Sequence, residues 1–128
     1  MDLLIDTHIL IWYIEGNPSL NRPMLDIIEA TKNNLHISIA SLWEMAIKIG
    51  KGKLSLGIEF HDLETILNQL EIKILPIVFK DIETYRSLPF HHNDPFDRII
   101  ISQLLSQSIL LMSADHIFNA YPIQNIWK

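Results

Sequence analysis

Leu3-Leu4-Ile5-Asp6-Thr7-His8-Ile9-Leu10-Ile11-Trp12 is the stretch whose reading decides the fold. An apolar run of strand length ends in one carboxylate, and a second apolar run follows at once. The pattern predicts a buried strand over 3–5 and a short helix over 8–14, closed by the turn Gly16-Asn17-Pro18. Asp6 then stands where the chain first leaves a sheet.

Outward from that stretch the alternation repeats. The spacing of Met24, Leu25, Ile27 and Ile28 predicts a second helix, broken at Asn33-Asn34. A second strand is expected over 36–40, and a third helix from Ser41 to Gly50, followed by the basic loop Lys51-Gly52-Lys53. Phe60, Leu63, Ile66, Leu67 and Leu70 keep helical spacing, and a third strand over 72–75 ends at Pro76. A helix over 80–87 precedes Pro89. A further helix, launched from 90–98, runs through Ile99, Ile100, Leu104 and Leu105. An apolar fourth strand over 109–112, a cap at 113–116, a short helix near Phe118 and a last strand over 124–127 finish the chain. Strands alternating with helices predict a single α/β domain over residues 1–128, a mostly parallel sheet covered by helices on both faces.

With 128 residues the chain is long enough to bury a real core. Its hydrophobic content of 48% and mean hydropathy of +0.19 are rich for a small soluble domain, which points to a surface buried against a second copy or another protein. No apolar run approaches the ~18 residues of a membrane span. Met1-Asp2 lacks the basic start of a signal peptide, so a cytoplasmic protein is expected. There is no cysteine, which excludes disulfides and thiolate zinc sites. A net charge of −5 argues against gripping nucleic acid by bulk electrostatics, but a cation bound among acids would reverse the local sign.

In an open parallel sheet, ligands bind at the edge where the strands end. Asp6 follows the first predicted strand, Glu44 lies one turn past the second, and Asp115 follows the fourth. Asp97 opens the helix that leads into the fourth strand, which places it at the same edge. Two carboxylates 5 Å apart repel by about 3 kcal/mol at an effective dielectric near 20, so such a group must take up protons or a cation. Hard oxygen donors select Mg²⁺ or Mn²⁺, and the chemistry this suggests is phosphodiester hydrolysis.

Duller readings exist for each acid. Asp6 or Thr7 would cap the first helix, and Asp115 the short one near Phe118. Ser41 with Glu44, and Asp94 with Asp97, match capping boxes, Pro95 taking the favoured first position. On that basis a non-catalytic interaction module is one alternative. A receiver-like signalling domain of similar length and acidity is another, although only Asp6 follows the first strand and Pro76 ends the third. The six histidines read as solvated loop or edge residues, and Trp12, Tyr13 and Trp43 as core or interface. Lys48, Lys51 and Lys53 form a small basic patch beside the expected mouth, read as a solvated surface or, with Arg98, as candidate phosphate contacts.

Four segments together resemble a PIN domain, in particular the toxin ribonuclease of a VapC-type toxin–antitoxin pair. They are Leu4-Ile5-Asp6-Thr7-His8, Ser41-Leu42-Trp43-Glu44-Met45-Ala46-Ile47-Lys48, His91-His92-Asn93-Asp94-Pro95-Phe96-Asp97-Arg98 and Leu111-Met112-Ser113-Ala114-Asp115. The resemblance spans nearly the whole chain and implies an endoribonuclease dependent on one or two Mg²⁺ or Mn²⁺ ions. It implies an RNA substrate such as tRNA, a homodimer, and an antitoxin partner through which alone operator DNA is bound. By the same resemblance Asp6, Glu44, Asp97 and Asp115 are the metal-holding, catalytic acids. Thr7 and Ser113 are polar neighbours, and Asp94 is an accessory acid. Asn93 and Ala114 depart from the residues common in relatives at those positions.

Overall fold

The computed structural model describes all of residues 1–128. Four strands, β1 (Asp2–Ile5), β2 (Asn34–Ser38), β3 (Ile72–Leu75) and β4 (Leu110–Met112), form one sheet in the order β3-β2-β1-β4. Every pairing is parallel: Ile5 lies opposite Ile37 on one side and Met112 on the other, and Ser38 lies opposite Leu75. Six helices cover the sheet: α1 (Thr7–Glu15), α2 (Arg22–Glu29), α3 (Ile39–Gly50), α4 (Leu63–Gln69), α5 (Phe79–Arg86) and α6 (Pro95–Gln107). No helix is long and apolar enough to cross a membrane.

The three residues of the opening apolar run explain the layering. Side chains alternate along a strand. Leu3 and Ile5 face a core shared with Ile9, Met24, Met45 and Leu67, from α1 to α4. Leu4 faces the opposite core, built on Ile100, Ile101 and Leu104 of α6 with Phe118 and Tyr121. All three are fully buried, as a central strand sandwiched on both faces requires.

The local boundaries differ from the expected ones at three places. Strand β2 stops at Ser38, and α3 begins at Ile39 with Ser38 as its cap, the hydroxyl accepting from the Ala40 N–H at 3.0 Å. Ser41 is therefore inside the helix, its buried hydroxyl has no hydrogen-bond partner, and the Ser41–Glu44 capping box does not form. The periodic run from Phe60 to Leu70 splits into a 3₁₀ turn (Phe60–Asp62) and α4. The expected last strand is reduced to one parallel bridge, Leu111 to Asn125, held by the Leu111 N–H donating to Gln124 at 2.9 Å and the Ile126 N–H donating to Leu111 at 2.8 Å. At the end of α1, Gly16 takes φ +65° and its N–H closes the helix onto Trp12 and Tyr13, a left-handed cap that glycine adopts without steric cost.

Candidate active site

Because the strands are parallel, β1, β2 and β4 all release the chain at one edge. Asp6 follows β1, α3 carries Glu44 after β2, and Asp115 follows β4. Helix α6 runs back into β4 and so begins at the same edge, bringing Asp94 and Asp97. These side chains, with Thr7, His8 and Lys48, line one cavity of about 130 Å³.

Each acid is held by the helix start or strand end that delivers it. Asp6 caps α1: its Oδ1 accepts from the Ile9 N–H at 2.9 Å. Its Oδ2 accepts a short hydrogen bond from the Ser113 hydroxyl. That hydroxyl accepts in turn from the Asp115 N–H at 3.0 Å, so β1 and β4 are tied through Ser113. Asn125 fixes Ser113 from behind, its Oδ1 accepting from the Ser113 N–H at 3.2 Å and its Nδ2 donating to the Ser113 carbonyl at 2.8 Å. Asp115 is exposed and caps the 3₁₀ turn His116–Ala120. Thr7 donates to Glu44 Oε1 at 3.5 Å, and Lys48 Nζ stands 3.6 Å from Glu44 Oε2, one turn along α3. Asp94 caps α6, its Oδ1 accepting from the Phe96 and Asp97 N–H groups at 2.9 and 3.0 Å. The Asp97 carboxylate caps nothing and faces the cavity.

Charge is crowded here. Burial, then the neighbouring Asp94, Glu44, Asp115 and Asp6, push the Asp97 carboxyl up to about 7. Asp6 is also raised, by burial first, against the opposing hydrogen bonds from Ser113 and Ile9. The donor set fits Mg²⁺ or Mn²⁺: carboxylates and hydroxyls, no sulfur, and a volume of about 130 Å³ that leaves room for waters. No three of the acids yet converge on a common point, so ligation requires side-chain rotation.

Two expectations about single residues are corrected, those for Arg98 and His92. Arg98 is not available to RNA. It is 1% exposed, its guanidinium lies between the Tyr85 and Phe90 rings, and it donates to the carbonyls of Pro89 (2.8 Å) and Leu88 (3.2 Å). Lys51 and Lys53 are exposed but lie outside the cavity lining, which includes Lys48 alone of the basic patch. His92 is not a solvated loop residue. Its side chain is 12% exposed, its Nδ1 lies 2.7 Å from the Tyr121 hydroxyl, and its Nε2 lies 3.5 Å from Asp97 Oδ2. Asn125 went unrecognised because an asparagine near a chain end carries no spacing signal.

A parallel sheet that gathers acids from three strand ends and one helix start around a hard-oxygen cleft defines an α/β domain with an acidic, cation-seeking site. The chain belongs to the PIN domain family, whose model matches residues 3–124. That membership sets aside the receiver-like alternative. Among solved structures the chain is similar to VapBC2 from Rickettsia felis bound to a DNA fragment from their promoter, with TM-score 0.72, 18% identity and coverage of 98% of this chain and 97% of that one. It is also similar to FitAcB from Neisseria gonorrhoeae, with TM-score 0.64, 17% identity and coverage of 98% and 96%. For VapBC-1 from nontypeable Haemophilus influenzae the values are 0.67, 16%, 99% and 98%. At these identities the likeness is one of fold. Comparison with curated protein sequences gives no match.

Proposed function

We propose that this chain is a divalent-metal-dependent endoribonuclease and the toxin of a toxin–antitoxin pair. The observation that carries the reading is the set of four acids, distant in sequence, that line one cavity, where burial first and then repulsion from Asp94 and the other acids raise Asp97. A non-catalytic module explains Asp6, Asp94 and Asp115 as caps. It reads Glu44 as a partner of Thr7 and Lys48 and leaves Asp97, which caps no helix, without a purpose.

Asp6, Glu44, Asp97 and Asp115 are the residues that would hold one or two Mg²⁺ or Mn²⁺ ions. Such an ion offsets the carboxylate repulsion, makes water more acidic and draws charge from a phosphoryl oxygen. The chain's own groups do the rest. Ser113 and the Ile9 N–H fix both oxygens of Asp6, so that carboxylate cannot swing away. Lys48, the one cation in the lining, faces an RNA phosphate. Glu44 accepts the proton of the attacking water. Attack in line at phosphorus forms one P–O bond and breaks the bond to the 3′-oxygen, which takes up a proton from solvent, leaving 5′-phosphate and 3′-hydroxyl ends.

The test is cleavage of total tRNA by purified protein with Mn²⁺, beside an Asp6→Asn variant and an EDTA control. The expected result is cutting only by the unmodified protein with metal. Equal cutting in all three reactions identifies a contaminant and overturns the assignment, as does no cutting in any.

The partner reading is supported by apolar surface left uncovered. Ile39, Trp43 and Phe60 flank a groove between α3 and α4, and Val78, Phe79 and Ile82 are exposed where α5 begins. Isolated single chains would leave both patches in water. An antitoxin and a second copy of this chain are the proposed occupants, and operator DNA would be reached only through the antitoxin. Sedimentation is expected to give twice the 14.9 kDa of one chain. A monomer at micromolar concentration would remove the homodimer from the account.

A further inference from the structure

One largely buried histidine is unexplained by the acids alone. His92 Nε2 is buried without a well-formed hydrogen bond, yet it points at Asp97 Oδ2 from 3.5 Å. Its other nitrogen, Nδ1, lies 2.7 Å from the Tyr121 hydroxyl. That hydroxyl lies 3.5 Å from Arg98 Nη1. Arg98 sits one residue beyond Asp97 on α6, and its guanidinium is pinned between Tyr85 and Phe90.

One hydrogen-bond direction uses every proton of these side chains and aims no bare nitrogen lone pair at Asp97. A guanidinium donates and never accepts. The Tyr121 oxygen therefore accepts from Arg98, and turning its own proton toward His92 Nδ1 avoids the reverse tautomer, whose Nε2 lone pair would face the Asp97 carboxylate. A neutral imidazole that accepts at Nδ1 carries its proton on Nε2. That proton faces Asp97 Oδ2.

We propose that His92 is a positioning residue for Asp97, its tautomer set by the Arg98–Tyr121 pair so that Nε2–H engages one carboxylate oxygen and leaves the other to the cavity. The inference rests on the metal-nuclease reading and deepens it. A carboxylate on the first turn of a helix can rotate about its side-chain bonds. An Nε2–H donor on one oxygen restricts that rotation before the acids close around an ion. Outer partners of this kind are worth about 10- to 100-fold in metal affinity or turnover. The same geometry explains the path of the loop between α5 and α6. That loop carries His92 to the back of Asp97, while Leu88 and Pro89 supply the carbonyls that hold Arg98.

The experiment measures Mn²⁺ affinity by calorimetry and RNA turnover at saturating Mn²⁺ for four proteins: unmodified, His92→Ala, His92→Gln and Tyr121→Phe. The His92 tautomer is read from ring-nitrogen NMR shifts of the metal-free protein. The expected result is an Nε2–H tautomer in the unmodified protein and about 10- to 100-fold weaker Mn²⁺ binding in His92→Ala. His92→Gln, whose amide N–H reaches the same oxygen, should recover most of that loss. Tyr121→Phe should keep the fold, by circular dichroism, but mix the tautomers and fall in between. A purely packing role would give no rescue by Gln and no tautomer change. An Nδ1–H tautomer in the unmodified protein overturns the inference, and so does unchanged Mn²⁺ binding in His92→Ala. If the unmodified protein itself bound no Mn²⁺, the nuclease reading would fall and take this one with it.

Discussion

Asp97 carries its charge at a cost to the fold. Its folded pKa of about 7 lies above the ordinary 3.8, so between those values the native state binds more protons than the unfolded chain. Metal-free stability therefore falls as pH rises from about 4 toward 7 and levels off above, and Asp6 shifts in the same direction. Thermal melts in EDTA at pH 5 and pH 8 are expected to show the loss, and Asp97→Asn is expected to reduce it. Mn²⁺ should restore stability at pH 8 more than at pH 5, since only ionised acids attract it. A second expectation concerns Arg98. Arg98→Ala leaves the Leu88 and Pro89 carbonyls without donors and opens a cavity between two rings. Chemical denaturation should show a loss of about 3 kcal/mol or more. A variant of normal stability with weakened RNA binding would return Arg98 to the surface role first expected of it. Asp6, Asp97 and Asp115 were legible in the sequence because each stands beside a strand end or helix start, and Glu44 because it follows the second strand on the next helix. His92 and Arg98 were not, because their burial depends on Tyr121, 23 residues beyond Arg98, folding back over them.

At the scale of elements, helix starts deliver the site, and one cap can be separated from its charge. Asp94 satisfies two N–H groups of α6 and also presses negative charge on Asp97. Asp94→Ala is expected to cost about 1 kcal/mol by loss of the cap. Asp94→Asn should keep most of that stability while easing the repulsion, so denaturation midpoints should rank unmodified and Asn together above Ala. Capping chemistry was readable for α1 and α6 because Asp6 and Asp94 each immediately precede the helical run. It misled at α3. The cap is Ser38, three residues before Ser41, the serine that capping-box spacing to a glutamate singles out. With the helix begun at Ile39, Ala40 and Leu42 are both buried. The last strand shrank to a bridge because Asn125 commits its side chain to Ser113 instead of extending the ladder.

For the molecule as a whole, sheet direction is what makes distant acids neighbours. The alternation of apolar strands and amphipathic helices was enough to expect a parallel sheet, and parallel pairing then forces β1, β2 and β4 to open at one edge. The strand order β3-β2-β1-β4 and the apolar patches on α3 and α5 were not readable, since both depend on which faces meet after folding. Anomalous scattering from crystals soaked in Mn²⁺ tests the shared edge as a cation site most directly. The expected result is a peak inside the cavity, about 2.1 Å from carboxylate oxygens of at least two of Asp6, Glu44, Asp97 and Asp115, with Asp6 in place and the other side chains rotated toward it. Manganese bound only elsewhere on the surface, with the cavity empty at saturating metal, would contradict it.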